Sequence, residues 1–261
     1  ESNPKSEVAE AKWKANGLLR SCGWLENTVS SSPVKRLAIH SLPLENQQSN
    51  DEVLSSIHTE NFTKNAVLLI DNLDSFTYNI AHDICGLGHN VNIVSGRDHS
   101  QQSARELLEN LQPSHVILGP GPGWPQDSPL TMEFAKLGLG GDTPPLLGIC
   151  LGHQAIGLAS GLEVVPSPIG PVHGTPVKCL HDGTGLFQGL QDLSMTRYNS
   201  LTLLTSDCLQ HERIVIDATD DTKSLVLGLR STKAPIFGVQ FHPESVGSQS
   251  GVQILSRFLQ Y

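Results

Sequence analysis

The 261-residue sequence has few aromatic residues, few charged residues and no long apolar run. Aromatic residues make up 5% of the chain and charged residues 16%. No apolar run approaches the roughly 18 residues that suggest a membrane-spanning helix. The formal net charge is −9, and no dense cluster of Lys and Arg offers a basic surface. We therefore expect neither a membrane nor a nucleic acid as a partner, whereas 38% hydrophobic residues are enough for a sizeable core.

Cysteines are few, and their arrangement excludes the common frameworks. Their number is odd, they lie far apart, and none forms a CxxC pair. They are Cys22, Cys85, Cys150, Cys179 and Cys208. We expect no disulfide framework, no metal site and a reducing, cytoplasmic location. The N-terminus has no basic region followed by an apolar stretch, so no secretory signal is expected. Because no Met opens the chain, we expect a processed chain or a piece of a longer one.

The composition divides the chain into zones. A helical spacing of apolar residues covers residues 7–20, within a first segment of residues 1–22. Residues 23–65 are rich in Ser and Asn and have few large apolar side chains, which predicts a linker that is partly disordered. An N-terminal extension of the following domain is the alternative. Residues 66–261 alternate short apolar runs with helical patterns and are predicted to form one domain.

Within residues 66–261, apolar strands alternate with amphipathic helices. Strands are predicted over residues 66–70, 90–94, 115–118, 145–149, 194–198, 213–218, 224–229 and 235–241. Helices are predicted over residues 75–85, 103–111, 151–161 and 251–259, the first of them capped by Asp74. Apolar strands alternating with helices indicate a parallel sheet covered on both faces. The predicted class is α/β, with an open, mostly parallel twisted sheet flanked by helices and a β-rich C-terminal half.

The sequence Gly148-Ile149-Cys150-Leu151-Gly152 follows a predicted apolar strand and opens a predicted helix. This spacing is typical of a nucleophile elbow, here with cysteine as the nucleophile. The glycines let the backbone pass close to a strained turn, and the helix N-terminus favours a thiolate. The pattern predicts Cys150 as a nucleophile. A small buried cysteine after a strand is the alternative.

A thiolate nucleophile needs a base, and His242-Pro243-Glu244 after the last predicted strand offers one. Pro243 favours an extended conformation at His242, and residues i and i+2 of an extended chain project to the same side. Both side chains would then face the carboxyl edge of the sheet, where ligands of open α/β sheets bind. We predict His242 as the base and Glu244 as the group that orients it.

A third motif, Gly119-Pro120-Gly121-Pro122-Gly123-Trp124-Pro125, follows the strand predicted over residues 115–118. Its glycines allow backbone N–H groups to approach a ligand, and its prolines stiffen the loop. We predict that the loop donates one N–H group to an oxyanion and that Leu151 donates a second. No Gly-Lys-Ser/Thr follows, so the loop is not a Walker loop. A rigid turn without a ligand is the alternative.

These motifs resemble those of the class I (triad) glutamine amidotransferases. The resemblance rests on residues 148–154 (GICLGHQ), 241–245 (FHPES) and 121–125, and it covers residues 66–261. It implies flavodoxin-like layering, hydrolysis of L-glutamine and transfer of ammonia to a partner synthase. It also implies that Cys150 is the nucleophile, His242 the general base and acid, and Glu244 the orienting carboxylate. The residues that it places around glutamine are Gly121, Pro122, Gly123, Gln154 and, through their backbone, Ser200 and Leu201.

Residues 70–79 (IDNLDSFTYN) resemble the opening of the glutaminase components of anthranilate synthase and aminodeoxychorismate synthase. Both of those enzymes convert chorismate. Residues 172–174 and 197–201 fit the same group. Two positions depart from it, since Asn199 stands where His is usual and Gly119 where Ser is common. Neither belongs to the triad, so activity is still expected. The choice among anthranilate, aminodeoxychorismate and aminodeoxyisochorismate as product stays open.

Residues 1–22 resemble the last helix of chorismate-using synthase domains. This resemblance implies a fusion in which the synthase comes first, the linker second and the glutaminase last. It implies no cofactor in the glutaminase domain and Mg²⁺ in the partner synthase. An unrelated amphipathic helix is the alternative for this segment.

Two other function classes stay open. A free-standing γ-glutamyl hydrolase or peptidase on the same fold would need no ammonia-accepting partner. A non-catalytic regulatory module would need no triad, and the presence of all three triad residues argues against it.

Overall fold

The computed structural model of the chain describes residues 62–97, 102–208 and 213–261. The helix predicted over residues 7–20 and the linker predicted over residues 23–65 lie outside this part, except for the last few linker residues. In the described part, no helix is long and apolar enough to cross a bilayer.

Strands and helices alternate in the first half of the described chain, and strands dominate the second half. The strands are β1 (Val67–Asp71), β2 (Val91–Ser95), β3 (His115–Leu118), β4 (Leu146–Ile149), β5 (Val164–Pro166), β6 (Val172–His181), β7 (Leu193–Asn199), β8 (Leu201–Leu203), β9 (Ile214–Thr219), β10 (Val226–Ser231) and β11 (Ile236–Val239). The α-helices are α1 (Thr77–Gly86), α2 (Ala104–Leu111), α3 (Pro129–Gly140), α4 (Leu151–Ser160) and α5 (Gly251–Phe258).

Nine of these strands form one sheet in the order β2-β1-β3-β4-β11-β10-β9-β6-β7, and β5 pairs with β8 in a second, two-stranded sheet. The pairings from β2 to β11 are parallel. The pairings from β11 to β7 are antiparallel. The α/β class with a β-rich C-terminal half is confirmed, and the antiparallel strands extend the same sheet.

The parallel strands are buried on both faces because helices cover each side. Alternate residues of β1 show this, since Leu69 packs in one apolar cluster with Ile80 of α1, and Leu68 packs in another with Phe134 of α3. All of these side chains are fully buried. Burial of a side chain of this size contributes about 1.5–3 kcal/mol. The two clusters fix the sheet between the helical layers and hold the carboxyl ends of its strands in place.

The elements differ from the predicted ones at the start of α1 and in four elements that were not predicted. Helix α1 begins at Thr77 rather than at residue 75, because the Asp74 carboxylate accepts the N–H of Phe76 at 2.8 Å and forms a turn before the helix. Helix α3, the ten-residue strand β6 and the short strands β5 and β8 had no predicted counterpart. The first turn of α3 begins with Pro at residue 129 after Ser128, which is a usable start signal. The other predicted elements are found with bounds shifted by a few residues.

Candidate active site

The carboxyl ends of the central parallel strands meet around one cavity of about 260 Å³. The residues that line it come from the loops after β1, β3 and β4 and from the β6 and β7–β8 region. They are Asp74, Phe76, Gly121, Pro122, Gly123, Cys150, Gln154, His173, Tyr198, Asn199, Ser200 and Leu201. Ligands of open α/β sheets bind at this edge, so the cavity is the candidate active site.

Cys150 occupies a strained position between β4 and α4. Its backbone has φ 53° and ψ −100°, and its N–H donates to Val239 O at 2.9 Å. A side chain at Gly148 would approach His153 N at 2.6 Å, and one at Gly152 would approach Leu118 Cβ at 2.7 Å. Both glycines of the predicted elbow are therefore required by close backbone packing. Cys150 is 4% exposed and lines the cavity.

His242 and Glu244 follow β11 and lie in direct contact. The distance from His242 Nδ1 to Glu244 Oε1 is 2.7 Å, and both side chains are almost fully buried. The backbone is not extended beyond His242, because Ser245 N–H donates to His242 O at 3.2 Å and closes a turn. This turn, rather than an extended i and i+2 arrangement, brings the carboxylate to the imidazole.

The charge pair lies next to the cysteine. Burial alone lowers the pKa of His242, but the Glu244 carboxylate and the Cys150 side chain raise it well above the ordinary value. Burial raises the pKa of Glu244, and the positive charge of His242 counters this rise in part. Nε2 of His242 has no hydrogen-bond partner among the described residues. The surroundings thus favour a protonated imidazole that is oriented through Nδ1, with Nε2 left for the reaction.

The side-chain amide of Asn72, which is buried, holds the glycine- and proline-rich loop after β3 in place. Asn72 Nδ2 donates to Gly119 O at 2.9 Å, and Thr131 Oγ1 donates to Asn72 Oδ1 at 2.8 Å. A side chain at Gly121 would approach Asn72 O at 2.5 Å, and one at Gly119 would approach Ile70 O at 2.6 Å. The unusual Gly119 therefore fits a loop that lies directly on β1.

A buried amide network connects the loop after β7 to the cysteine. Gln154 Nε2 donates to Leu201 O at 2.8 Å and to Gln240 Oε1 at 3.1 Å. Gln240 Nε2 lies 3.6 Å from Cys150 Sγ in donor geometry. Sequence reasoning missed Gln240, although it stands directly before the recognised Phe241–Ser245 motif. It gives the sulfur a hydrogen-bond donor.

Arg197 and Asn199 extend this network. Arg197 is fully buried, and its Nε donates to Asn199 Oδ1 at 3.0 Å. Asn199 Nδ2 donates to Leu201 O at 2.7 Å. No carboxylate of the described residues lies within ion-pair distance of this guanidinium. Asn199, which stands where His is usual, thus links a buried cation to the backbone that lines the cavity.

The structure brings most of the predicted site residues together at the cavity. Gly121, Pro122, Gly123, Gln154, Ser200 and Leu201 all line it with Cys150. Leu151 begins α4, so its N–H is not used by the helix. His242 and Glu244 do not line the cavity, and they are buried beside it. Sequence reasoning assigned no role to the rings of Phe76 and Tyr198, which do line it.

This arrangement supplies the parts of nucleophilic acyl transfer. It has a cysteine at a helix N-terminus, a buried histidine oriented by a carboxylate, and backbone N–H groups at a strained turn. Among the described residues, no group of three or more His, Cys, Asp and Glu side chains is placed to hold a metal ion.

Comparison with known proteins places this geometry in one family. The family model described as glutamine amidotransferase class-I matches residues 68–260. Aminodeoxychorismate synthase component 2 of Serratia marcescens is 40% identical over 197 residues, which cover 74% of this chain and 98% of that protein. Anthranilate synthase component 2 of Cyanophora paradoxa is 37% identical over 195 residues, with 74% and 97% covered.

Solved structures show the same fold. The crystal structure of a putative GMP synthase protein from Thermoplasma acidophilum superposes with a TM-score of 0.62 and 22% identity. The superposition covers 76% of this chain and 93% of that one. At this identity the likeness concerns the fold alone.

Proposed function

The chain belongs to the class I glutamine amidotransferases, and from this we propose that Cys150, His242 and Glu244 hydrolyse L-glutamine to glutamate and ammonia. The observation that carries the proposal is the buried His242–Glu244 contact of 2.7 Å beside a cysteine with φ 53°. Strain of this kind persists only where the surroundings enforce it. Here two glycines and the sheet enforce it at a cavity.

The reaction proceeds in two steps. The Cys150 thiolate attacks the side-chain amide carbon of glutamine, and the C–N bond breaks as His242 gives its Nε2 proton to the leaving amine. The products are a glutamyl thioester and ammonia. Water then attacks the thioester carbon while His242 accepts a proton, and the C–S bond breaks to release glutamate and the thiolate. Glu244 keeps Nδ1 protonated and the ring oriented throughout.

Both steps pass through a tetrahedral oxyanion. The N–H of Leu151 lies at the start of α4, and Gly121 and Gly123 line the cavity. Loss of one such donor typically costs about 2.7–4 kcal/mol of transition-state stabilisation. Gln154, Ser200 and Leu201 lie on the remaining wall, where they would hold the amino-acid end of the substrate.

Replacing Cys150 by Ser tests the assignment. The variant should keep the fold and lose glutamine hydrolysis, because the hydroxyl does not ionise as the thiol does. A glutamine analogue with an electrophilic carbon should label Cys150 in the wild type. Cys85 and Cys179 are also free thiols and serve as internal controls. Labelling of either of these in place of Cys150 would contradict the proposal.

We propose further that the ammonia passes to a chorismate-using synthase. The support is the similarity to the component 2 proteins of aminodeoxychorismate synthase and anthranilate synthase. Adding a chorismate-using synthase with chorismate and Mg²⁺, which the synthase is expected to use, should raise glutamine turnover and give an aminated product. Unchanged turnover and no product with either kind of synthase would favour a free-standing hydrolase.

The position of that synthase is also a proposal. The family match begins at residue 68, so residues 1–65 lie outside it. We propose that residues 1–22 are the end of a preceding synthase domain and residues 23–65 a linker, within one cytoplasmic chain. Deleting residues 1–61 should leave basal glutaminase activity and the melting temperature nearly unchanged. Limited proteolysis should cut between residues 23 and 65. A large fall in melting temperature on deletion would show that the segment packs on the domain.

A further inference from the structure

The ring of His242 is held by more than its carboxylate. The ring of Phe76 lies 5.3 Å from the imidazole, centroid to centroid, at an interplanar angle of 63°. The ring of Tyr198 lies 5.0 Å from it at 77°. Phe76 and Tyr198 contact each other at 4.9 Å, so the three rings form one cluster.

These contacts connect two distant parts of the chain to the base. Phe76 stands directly before α1, and its N–H is held by the Asp74 carboxylate at 2.8 Å. Tyr198 lies in β7, and its hydroxyl lies 3.4 Å from Ser245 Oγ. Both rings also line the cavity. The turn before α1 and the strand β7 therefore set where the two rings lie against the imidazole.

Ring geometry matters here because a hydrogen bond at one atom does not fix a ring. The bond from Nδ1 to Glu244 restrains rotation of the imidazole about the Cβ–Cγ bond through one atom only. Edge-on contacts with two aromatic rings oppose that rotation, and such pairs are favourable. With the hydrogen bond to Glu244 and the two ring contacts together, the imidazole has one orientation, and the direction of Nε2 is fixed. Productive proton transfer needs this, since misplacement by about 1 Å can lower a rate about 100-fold.

We propose that Phe76 and Tyr198 are positioning residues that clamp the His242 imidazole, so that Nε2 points to where protons are transferred when Cys150 reacts with the substrate. This proposal rests on the proposed function of His242. It gives a role to the segment of residues 70–79. Without it, Asp74 would only form a turn, and Phe76 would only be a buried residue before α1.

The test compares variants that remove a ring with variants that keep it. Phe76→Leu and Tyr198→Leu should each lower kcat about 10- to 100-fold with less than a threefold change in KM. Phe76→Tyr and Tyr198→Phe keep the rings and should lose much less of kcat than the leucine variants. Phe134→Leu makes the same change in α3, on the core side of the helix, and its melting temperature calibrates the loss of a buried ring.

The kinetic constants of these variants distinguish a clamp on His242 from simple packing. A loss of kcat at nearly constant KM, restored by the ring-keeping variants and absent from Phe134→Leu, supports the clamp. If Phe76→Leu fails to fold, the half-buried Tyr198 gives the same comparison. A rise in KM alone would show that the rings only line the cavity, and unchanged kinetics would show that they only pack, so either overturns the clamp. Full activity of His242→Ala would instead overturn the proposed function itself.

Discussion

Replacing Glu244 by Gln changes one atom type in the buried pair and leaves its volume intact. The carboxylate oxygen lies 2.7 Å from His242 Nδ1, with both side chains almost fully buried. A hydrogen bond to a charged group contributes about 1.5–3 kcal/mol. At 1.4 kcal/mol for each factor of ten, its loss predicts a fall in kcat of about 10- to 150-fold. His242→Ala removes the proton donor itself and should cost more.

The same variant should change the pH profile in a defined direction. The Glu244 carboxylate helps to raise the pKa of His242, so its removal lowers that pKa. Ammonia departure needs protonated His242, and activity is lost as the pH rises through this pKa. The alkaline limb of the kcat profile should therefore move to lower pH in Glu244→Gln.

Steady-state glutaminase assays across the pH range, with glutamate release as the readout, measure both effects. A variant at a carboxylate outside the site, Asp142→Asn, provides the control because this side chain is half-exposed and pairs with Arg105 at 3.1 Å. It should keep the wild-type kcat and profile. An unchanged alkaline limb in Glu244→Gln, or a loss as large as that of His242→Ala, would refute the orienting role of the carboxylate.

Two further predictions concern the stability of the fold around the site. Burial, with Asp182 adding to it, raises the pKa of Asp217 from 3.8 to about 7, so the folded state increasingly disfavours the ionised form as the pH rises above 3.8. Asp217→Asn should therefore have a higher free energy of unfolding than the wild type, and this difference should be about 2–3 kcal/mol larger at pH 8 than at pH 5. Urea unfolding at both pH values measures it, and a difference that does not change with pH would contradict the reasoning. In Gly148→Ala the new Cβ would clash with the backbone at residues 152–153. The free energy of unfolding should fall by about 1–3 kcal/mol, and most of the glutaminase activity should be lost. A stable and fully active variant would show that the turn at Cys150 has room for a side chain.

The sequence predicted those features that depend on neighbouring residues. The strands before the elbow and the glycines at 148 and 152 follow from local patterns, since a strained turn between a buried strand and a helix tolerates few residue types. The helix predicted over residues 103–111 is equally local, because the side chains of Ser103 and Glu106 form a capping box at its start. The start of α1 was displaced by an interaction that is also local, because the Asp74 carboxylate accepts the N–H of Phe76 and forms a turn before the helix.

Local patterns did not reveal which distant side chains meet. Gln240 contacts the sulfur of Cys150 because β11 pairs in parallel with β4, and the register places Val239 opposite Ile149. The Phe76 ring lies against His242 although the strands that precede them, β1 and β11, are separated in the sheet by β3 and β4.

By itself, then, the sequence determined the α/β class and the places of the motif residues, because apolar periodicity and turn chemistry act over a few residues. The family followed from the resemblance of those motifs. Only the tertiary structure decided how the base is oriented, how Arg197 and Asn199 are connected to the cavity wall, and which amide reaches the sulfur. Those contacts join residues far apart in the chain, and their geometry depends on strand order, register and the packing of complete side chains.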